Sequence, residues 1–252
     1  MATANEKTEL ADGDVWRMRC ELAACYRLCA HFGWDDHIAT HMSARLPDGT
    51  FLLNPFGMFF DEITASKLMR VDFAGNVIEP EGHPMNPAAF TIHGGILEGR
   101  EDVNCVIHLH TRDGVAVSAL EEGLLPINQN ALTIHHDIAY HEYEGIAEDL
   151  DERERLQRDL GEKNLMILRN HGTLSVGHTI AAAFYRIYTL EWACSSQIAA
   201  LSMGRELHAV RPEVIENVKA FSSYEISGKL VEHVFWPGML RLAGRVCPGY
   251  DS

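Results

Sequence analysis

Apolar residues open the chain with helical spacing and then change to short alternating runs. Val15, Met18, Leu22, Cys25 and Leu28 form one stripe of a helix over 14–32 that stops before Gly33. Strand-like pieces follow at 39–45 and 50–53, joined by the turn Pro47-Asp48-Gly49, and at 69–73 and 76–78, joined by Ala74-Gly75. Residues 87–97 read as the next helix. The apolar run from Val103 to Thr111 then carries two histidines at alternate positions. As a strand it sends His108 and His110 to one face, about 6.5 Å apart along the chain, and Val103, Cys105, Ile107 and Leu109 to the other. Beyond it the pattern predicts a short helix within 114–120, a buried turn or strand at 124–130, a strand at 138–143 and an amphipathic helix at 149–160. A second apolar strand, 164–169, runs into Asn170-His171-Gly172, followed by a strand at 173–176. Thr179 caps a long helix to about Met203, with Gly204 as its stop. Hairpins and helices mix without a repeat. The order fits one α/β domain, a three-layer α/β/α sandwich around a mostly antiparallel central sheet, with a C-terminal tail from about 211.

Composition narrows the class. The 252 residues are 46% hydrophobic, enough for one large core. A formal net charge of -15 speaks against nucleic acid as a partner, because phosphate contacts need clustered Lys and Arg. Much of the acid lies in helix-like stretches such as 148–154, which read as solvated faces. There is no run of 18 apolar residues and Met1 to Leu10 is polar, so neither a membrane span nor a secretory signal is expected, and the expected location is the cytoplasm. Six cysteines without C-x-x-C spacing fit buried thiols in a reducing compartment.

The chemistry centres on histidine. An isolated H-x-H pair can be two hydrogen-bonded side chains on a polar sheet face. A third histidine at the end of a second buried strand, beside a glycine that permits close approach, points to metal binding. Three neutral histidines with an open fourth position are the usual ligand set of a catalytic divalent ion. His93, on a helix face, reads as structural. His135-His136-Asp137 lies in a loop-like stretch. No phosphate loop or serine nucleophile motif is present.

Several segments, in order, resemble the class II aldolase/adducin family, which includes metal-dependent sugar-phosphate aldolases and epimerases. They are F-G-W-D-D-H-I-A-T-H-M-S-A-R from Phe32, L-N-P-F-G from Leu53, F-D-E-I-T-A-S-K-L from Phe60, N-P-A-A-F-T-I-H from Asn86, the H-L-H strand and R-N-H-G from Arg169, together covering roughly 21–203. The resemblance implies that His108, His110 and His171 bind a divalent metal, Zn2+ as first choice with Fe2+ or Mn2+ also suited. It implies substrate contacts at His41, Asn54, Phe56, Gly57, Gln129 and Asn130, and candidate proton donors at Tyr140 and Tyr143. It also implies a homotetramer with active sites between subunits, for which Tyr224, Phe235, Trp236 and Tyr250 could serve a neighbour's pocket, the alternative being packing on their own subunit.

The departures from that family shape the expectation. Ala89 stands where the sugar-phosphate aldolases carry an acid/base glutamate. His41, Phe56-Gly57 and Pro87-Ala88 stand where they hold the phosphate, and these offer few donors to a dianion. Phe56, Met58, Phe59 and Phe60 make the region apolar. The resemblance therefore implies a metal-dependent carbon-carbon lyase, aldolase-like or decarboxylase-like, acting on a small unphosphorylated hydroxy or oxo acid, aromatic acids included. The alternatives are non-haem iron oxygenase chemistry on the same fold and a non-catalytic adducin-like assembly module.

Overall fold

The structure, a computed structural model, describes residues 12–80, 82–147, 149–221 and 228–252. Helix α1 (Asp12–Phe32) leads into β1 (His41–Arg45), β2 (Phe51–Leu53), β3 (Met69–Val71) and β4 (Val77–Glu79). Helix α2 runs through three pieces in series, Pro87–Ala89, a π-helical turn Phe90–Gly94, and Gly95–Gly99. Then follow β5 (Cys105–Leu109), α3 (Arg112–Ser118), α4 (Gln129–Ile134), β6 (Ile138–His141), α5 (Glu152–Leu160), β7 (Leu165–Leu168), β8 (Gly172–Gly177), α6 (Ile180–Ser202), α7 (Pro212–Phe221) and α8 (Trp236–Val246).

One eight-stranded sheet has the order β4-β3-β2-β1-β5-β8-β7-β6. Every pairing is antiparallel except β6 with β7. Two separate cores cover its faces. Cys105, Ile107, Leu109, Leu165 and Ile167 pack with α1 and α6, through Leu22, Cys25, Phe184 and Leu190. Val106, Met166, Leu168 and Val176 pack with α2 and α5, through Ile92, Ile96, Leu156 and Leu160. This is the expected three-layer α/β/α arrangement, and β5 lies inside the sheet between β1 and β8.

Local chemistry accounts for the helix ends. The Thr179 side chain accepts the Ala182 N–H at the start of α6, and Gly204 takes φ of +61° just past its end. Asn86 caps α2 by accepting from Ala88 N–H, with Pro87 in the first turn.

Some expectations need correction. Val103 does not share a face with Cys105: the strand begins at Cys105, Val103 N–H bonds back to Arg100 O in a turn, and Val103 joins the core of Val106. Residues 124–130 form no strand, and Gln129 starts α4 instead. The 148–154 run is not wholly solvated, because Glu152 is buried with its carboxylate 3.4 Å from His141 Nε2. The C-terminal tail expected from about 211 is largely helical in its described residues. α8 packs on its own subunit, with Trp236 buried 5.5 Å from the Phe184 ring and Phe235 5.1 Å from Tyr185, while Tyr250 O accepts from Ala65 N–H. Tyr224 lies outside the described residues.

A candidate metal centre

The register of β5 sets the site. His108 stands opposite His41 on β1 and opposite Leu174 on β8, at 1% exposure. His110 follows as the chain leaves the strand. β7 and β8 form a hairpin whose turn is Arg169-Asn170-His171, tightened by Asn170 in the left-handed region at φ of +56° and by His171 N–H donating to Leu168 O. Gly172 is required here. A Cβ at that position would stand 2.3 Å from Leu109 O and 3.0 Å from the His110 ring, so only glycine lets the hairpin close on the H-x-H segment.

The three histidines converge. His110 Nε2 is 2.9 Å from His108 Nε2, which is 3.2 Å from His171 Nε2, and the ligand atoms of all three lie within 4.8 Å of one another. The opposite nitrogens are committed elsewhere. His108 Nδ1–H donates to Thr173 O at 3.0 Å, and His110 Nδ1–H donates to Asp36 Oδ2 at 3.2 Å. Both Nε2 atoms therefore carry bare lone pairs that face each other, an arrangement that suits a shared cation.

Electrostatics favour the same species. Burial, and then the neighbouring histidines, hold His108 well below the usual imidazole range. Burial lowers His110 against the raising effect of Asp36. His171 is brought down to about 4 by burial, with His110 and His141 adding to the shift. The three rings stay neutral at ordinary pH, as ligation demands, and three neutral nitrogen donors fit Zn2+ or another borderline divalent ion.

A second histidine pair backs the first. His41 is buried, with its ring centroid 5.2 Å from that of His108. Its Nδ1 is 2.7 Å from His93 Nε2, and His93 Nδ1 is 2.6 Å from Ser43 Oγ. His93 is fully buried with both ring nitrogens bonded, and burial takes it down to about 3. It comes one helical turn after Ala89, which is buried in the α2 core, so no carboxylate occupies that position.

The remaining candidates divide. Tyr143 lies beside the centre, 53% exposed, with its ring 6.1 Å from that of His171. Tyr140 does not. It packs against the core of the opposite sheet face, its hydroxyl accepts from Leu124 N–H, and Arg169 stacks on its ring at 4.3 Å. Successive residues of β6 point to opposite faces. Asn54 is buried and tied to the Tyr26 hydroxyl at 2.9 Å. Gly57 takes φ of +97° in the following turn, with Phe56 beside it at the surface. Phe60 is core, edge-on to Tyr26, and cannot line a pocket. Gln129 and Asn130 open α4, and the cap there is Asn128, whose side chain accepts from Ala131 N–H. A cleft of about 420 Å³ reaches His110, lined by Gly33, Asp35, Asp36, His37, Phe59 and Arg112.

Four partners went unread in the sequence: Asp36, Thr111, Thr173 and Glu191. Signals for them exist. Each histidine motif is followed within two residues by a threonine, and Glu191 is the single acid in the apolar helix 180–202.

Comparison with known proteins identifies the family and the fold. Residues 20–198 match the Class II Aldolase and Adducin N-terminal domain. An aldolase class 2 family protein of Caulobacter vibrioides is 48% identical over 99% of this chain and 97% of its own length. An aldolase II superfamily protein from Pseudomonas syringae superposes with a TM-score of 0.88 at 44% identity, covering 99% of this chain and all of that one. L-fuculose 1-phosphate aldolase from Glaciozyma antarctica superposes with a TM-score of 0.82 at 26% identity, over 98% of this chain and 96% of that one.

Proposed function

The chain belongs to the class II aldolase and adducin family, and on that footing we propose that it is a metal-dependent carbon-carbon lyase. Its substrate in this reading is an unphosphorylated hydroxy or oxo acid, cleaved by an aldolase-like or decarboxylase-like reaction. The observation that carries the reading is the convergence of three neutral imidazole nitrogens from His108, His110 and His171. A divalent ion held there supplies a Lewis acid, which polarises a substrate carbonyl and stabilises the charge left as a neighbouring carbon-carbon bond breaks. Zn2+ is the first choice, and Fe2+ or Mn2+ suit the same donors.

The protein's own groups do the rest. Asp36 and the Thr173 carbonyl hold protons on the far nitrogens of His110 and His108, so both rings present lone pairs. The cleft at His110 is of the size that holds a small molecule, ~300–1,000 Å³. Of the other assigned substrate contacts, His41 packs its ring 5.2 Å from that of His108, whereas Asn54, Phe56 and Gly57 are not among the residues that line this cleft. Gln129 and Asn130 stay assigned to substrate contact, and a homotetramer is the assembly proposed. The exposed apolar side chains Tyr143, Ile146 and Leu150, of which Tyr143 lies beside the centre, are consistent with such an assembly.

Tyr143 is the proton donor in this scheme. It is the one of the two candidate phenols placed at the centre. With Ala89 in the family's glutamate position, general acid/base help worth about 10²- to 10⁴-fold is missing from that side. A decarboxylation needs no base to start and suffers least from that loss. Sugar phosphates suit the site poorly, because Phe56, Pro87 and Ala88 offer a phosphate dianion no side-chain donor.

The adducin branch of the family favours a second reading, an assembly module without catalysis. Three histidines with facing ring nitrogens would serve no purpose there. Elemental analysis of the purified protein, followed by a screen of hydroxy, oxo and aromatic acids for CO₂ or aldehyde release, tests the proposal. Bound zinc or manganese with release from an unphosphorylated acid supports it. Iron with oxygen consumption moves the reading to oxygenase chemistry, and no metal with no turnover leaves the assembly module.

A further inference from the structure

We propose that Glu191 is the positioning residue of the metal centre, a buried carboxylate that fixes all three ligand histidines through Thr111 and Thr173. This rests on the metal-site reading above. Glu191 sits within α6 at 3% exposure, on the core side of the sheet opposite the α2 layer. Both of its oxygens are engaged. Oε2 accepts the Thr111 hydroxyl, and Oε1 accepts the Thr173 hydroxyl at 2.5 Å. The direction of the first bond is fixed by a second contact: Thr111 Oγ1 also accepts Gly114 N–H at 2.9 Å, which leaves its own proton for the carboxylate.

These two threonines are the residues that carry the ligands. Thr111 directly follows His110. Thr173 comes two residues after His171, and its carbonyl accepts the Nδ1–H of His108. One carboxylate is thus bonded to the residue after His110 and to the residue two beyond His171, and the second of these is the same residue whose carbonyl sets the His108 tautomer. The surroundings are packed tightly on it. A Cβ at Gly114 would meet Thr111 Oγ1 at 2.7 Å, Thr173 Cγ2 at 2.9 Å and Glu191 Oε1 at 3.3 Å.

A purely structural tie at this depth would be cheaper with apolar side chains, since burying a carboxylate disfavours its charged form. Desolvation indeed raises Glu191 to about 7, against the lowering effect of the two threonine bonds. Among the described residues no Lys or Arg pairs with it. A divalent ion on three neutral imidazoles provides the compensating charge that the protein itself omits, and outer partners of ligands characteristically change metal affinity about 10- to 100-fold.

The test is titration of the metal-free protein with Co2+ and Zn2+, reading affinity and the Co2+ visible absorption spectrum. Glu191→Gln keeps the shape and one acceptor, and it should weaken both metals ~10- to 100-fold and alter the Co2+ spectrum with unchanged far-UV circular dichroism. Should that variant not fold, Thr173→Val and Thr173→Ser decide. Serine keeps the hydroxyl and should bind like the native chain, whereas valine suits a strand but lacks the donor and should lose affinity and shift the spectrum. Native affinity and spectrum in Glu191→Gln, or in Thr173→Val, overturn the proposal. If the unsubstituted protein itself takes up neither metal, it is the metal-site reading that has failed.

Discussion

His110 Nε2 and His108 Nε2 stand 2.9 Å apart while the Nδ1 of each ring donates to another group. Two lone pairs at that distance repel unless a cation lies between them. The relation depends on the two outer acceptors, and these differ. The Thr173 carbonyl is main chain and cannot be removed by substitution. Asp36 is a partly exposed side chain on the loop after α1 and can be.

Asp36→Asn should therefore weaken metal binding about 10-fold with little effect on folding, because the amide no longer stabilises His110 in the tautomer that ligates. Metal titration followed by calorimetry checks this. An affinity equal to the unsubstituted protein would mean that some other group orients His110.

Gly172→Ala should disrupt both fold and site. The added methyl would overlap Leu109 O and press on the His110 ring, and overpacking of this kind costs ~1–3 kcal/mol. A urea midpoint that does not move would show that the β7–β8 hairpin can relax without opening the centre.

Acid sensitivity follows from His93. Its folded value near 3 lies below the ordinary 6.5, so the unfolded chain binds the extra proton, and the stability it contributes is complete above about pH 6.5 and declines as pH falls toward 3. By pH 5 the loss is ~2 kcal/mol. Glu191, raised from 4.5 to about 7, acts in the opposite sense: its contribution is complete below about pH 4.5 and is lost as pH rises through 7. Comparison within one background separates them. In His93→Gln, denaturant unfolding at pH 7 and pH 5 should show a stability drop ~2 kcal/mol smaller than in the native sequence. Equal drops would mean that His93 is not held neutral by burial.

The fold and the meeting of the three histidines were legible because they rest on local pattern. Alternation placed His108 on the face opposite Ile107, and the N-H-G turn marked His171. What escaped reading was contact between distant segments. Nothing near Glu191 in sequence connects it with Thr111, 80 residues away. Tyr140 and Tyr143 are equivalent as residue types, and only the strand's end at His141 separates a packed phenol from an exposed one. The apolar residues 56–60 looked like one lining, yet Phe60 turns into the core and Phe59 stays at the cleft. The helices after 211 were missed although α8 carries an apolar stripe, with Trp236, Met239, Leu240 and Ala243 at helical spacing around the breaker pair Pro237-Gly238.

Tyr143→Phe should lower turnover of an accepted acid by about 10²-fold or more with metal still bound, while Tyr140→Phe leaves it near native. Steady-state kinetics on both variants checks the pair. Full activity in Tyr143→Phe would transfer the donor role to a water molecule. Fuculose 1-phosphate should in either case turn over poorly, and cleavage at ordinary enzyme rates would contradict the assignment of an unphosphorylated substrate.

The account depends most directly on metal content. Elemental analysis of the protein purified without chelator should give close to one divalent ion per chain, and His110→Ala should reduce this sharply while the circular dichroism spectrum is retained. Equal metal content in the folded variant and the native protein would contradict the three-histidine centre.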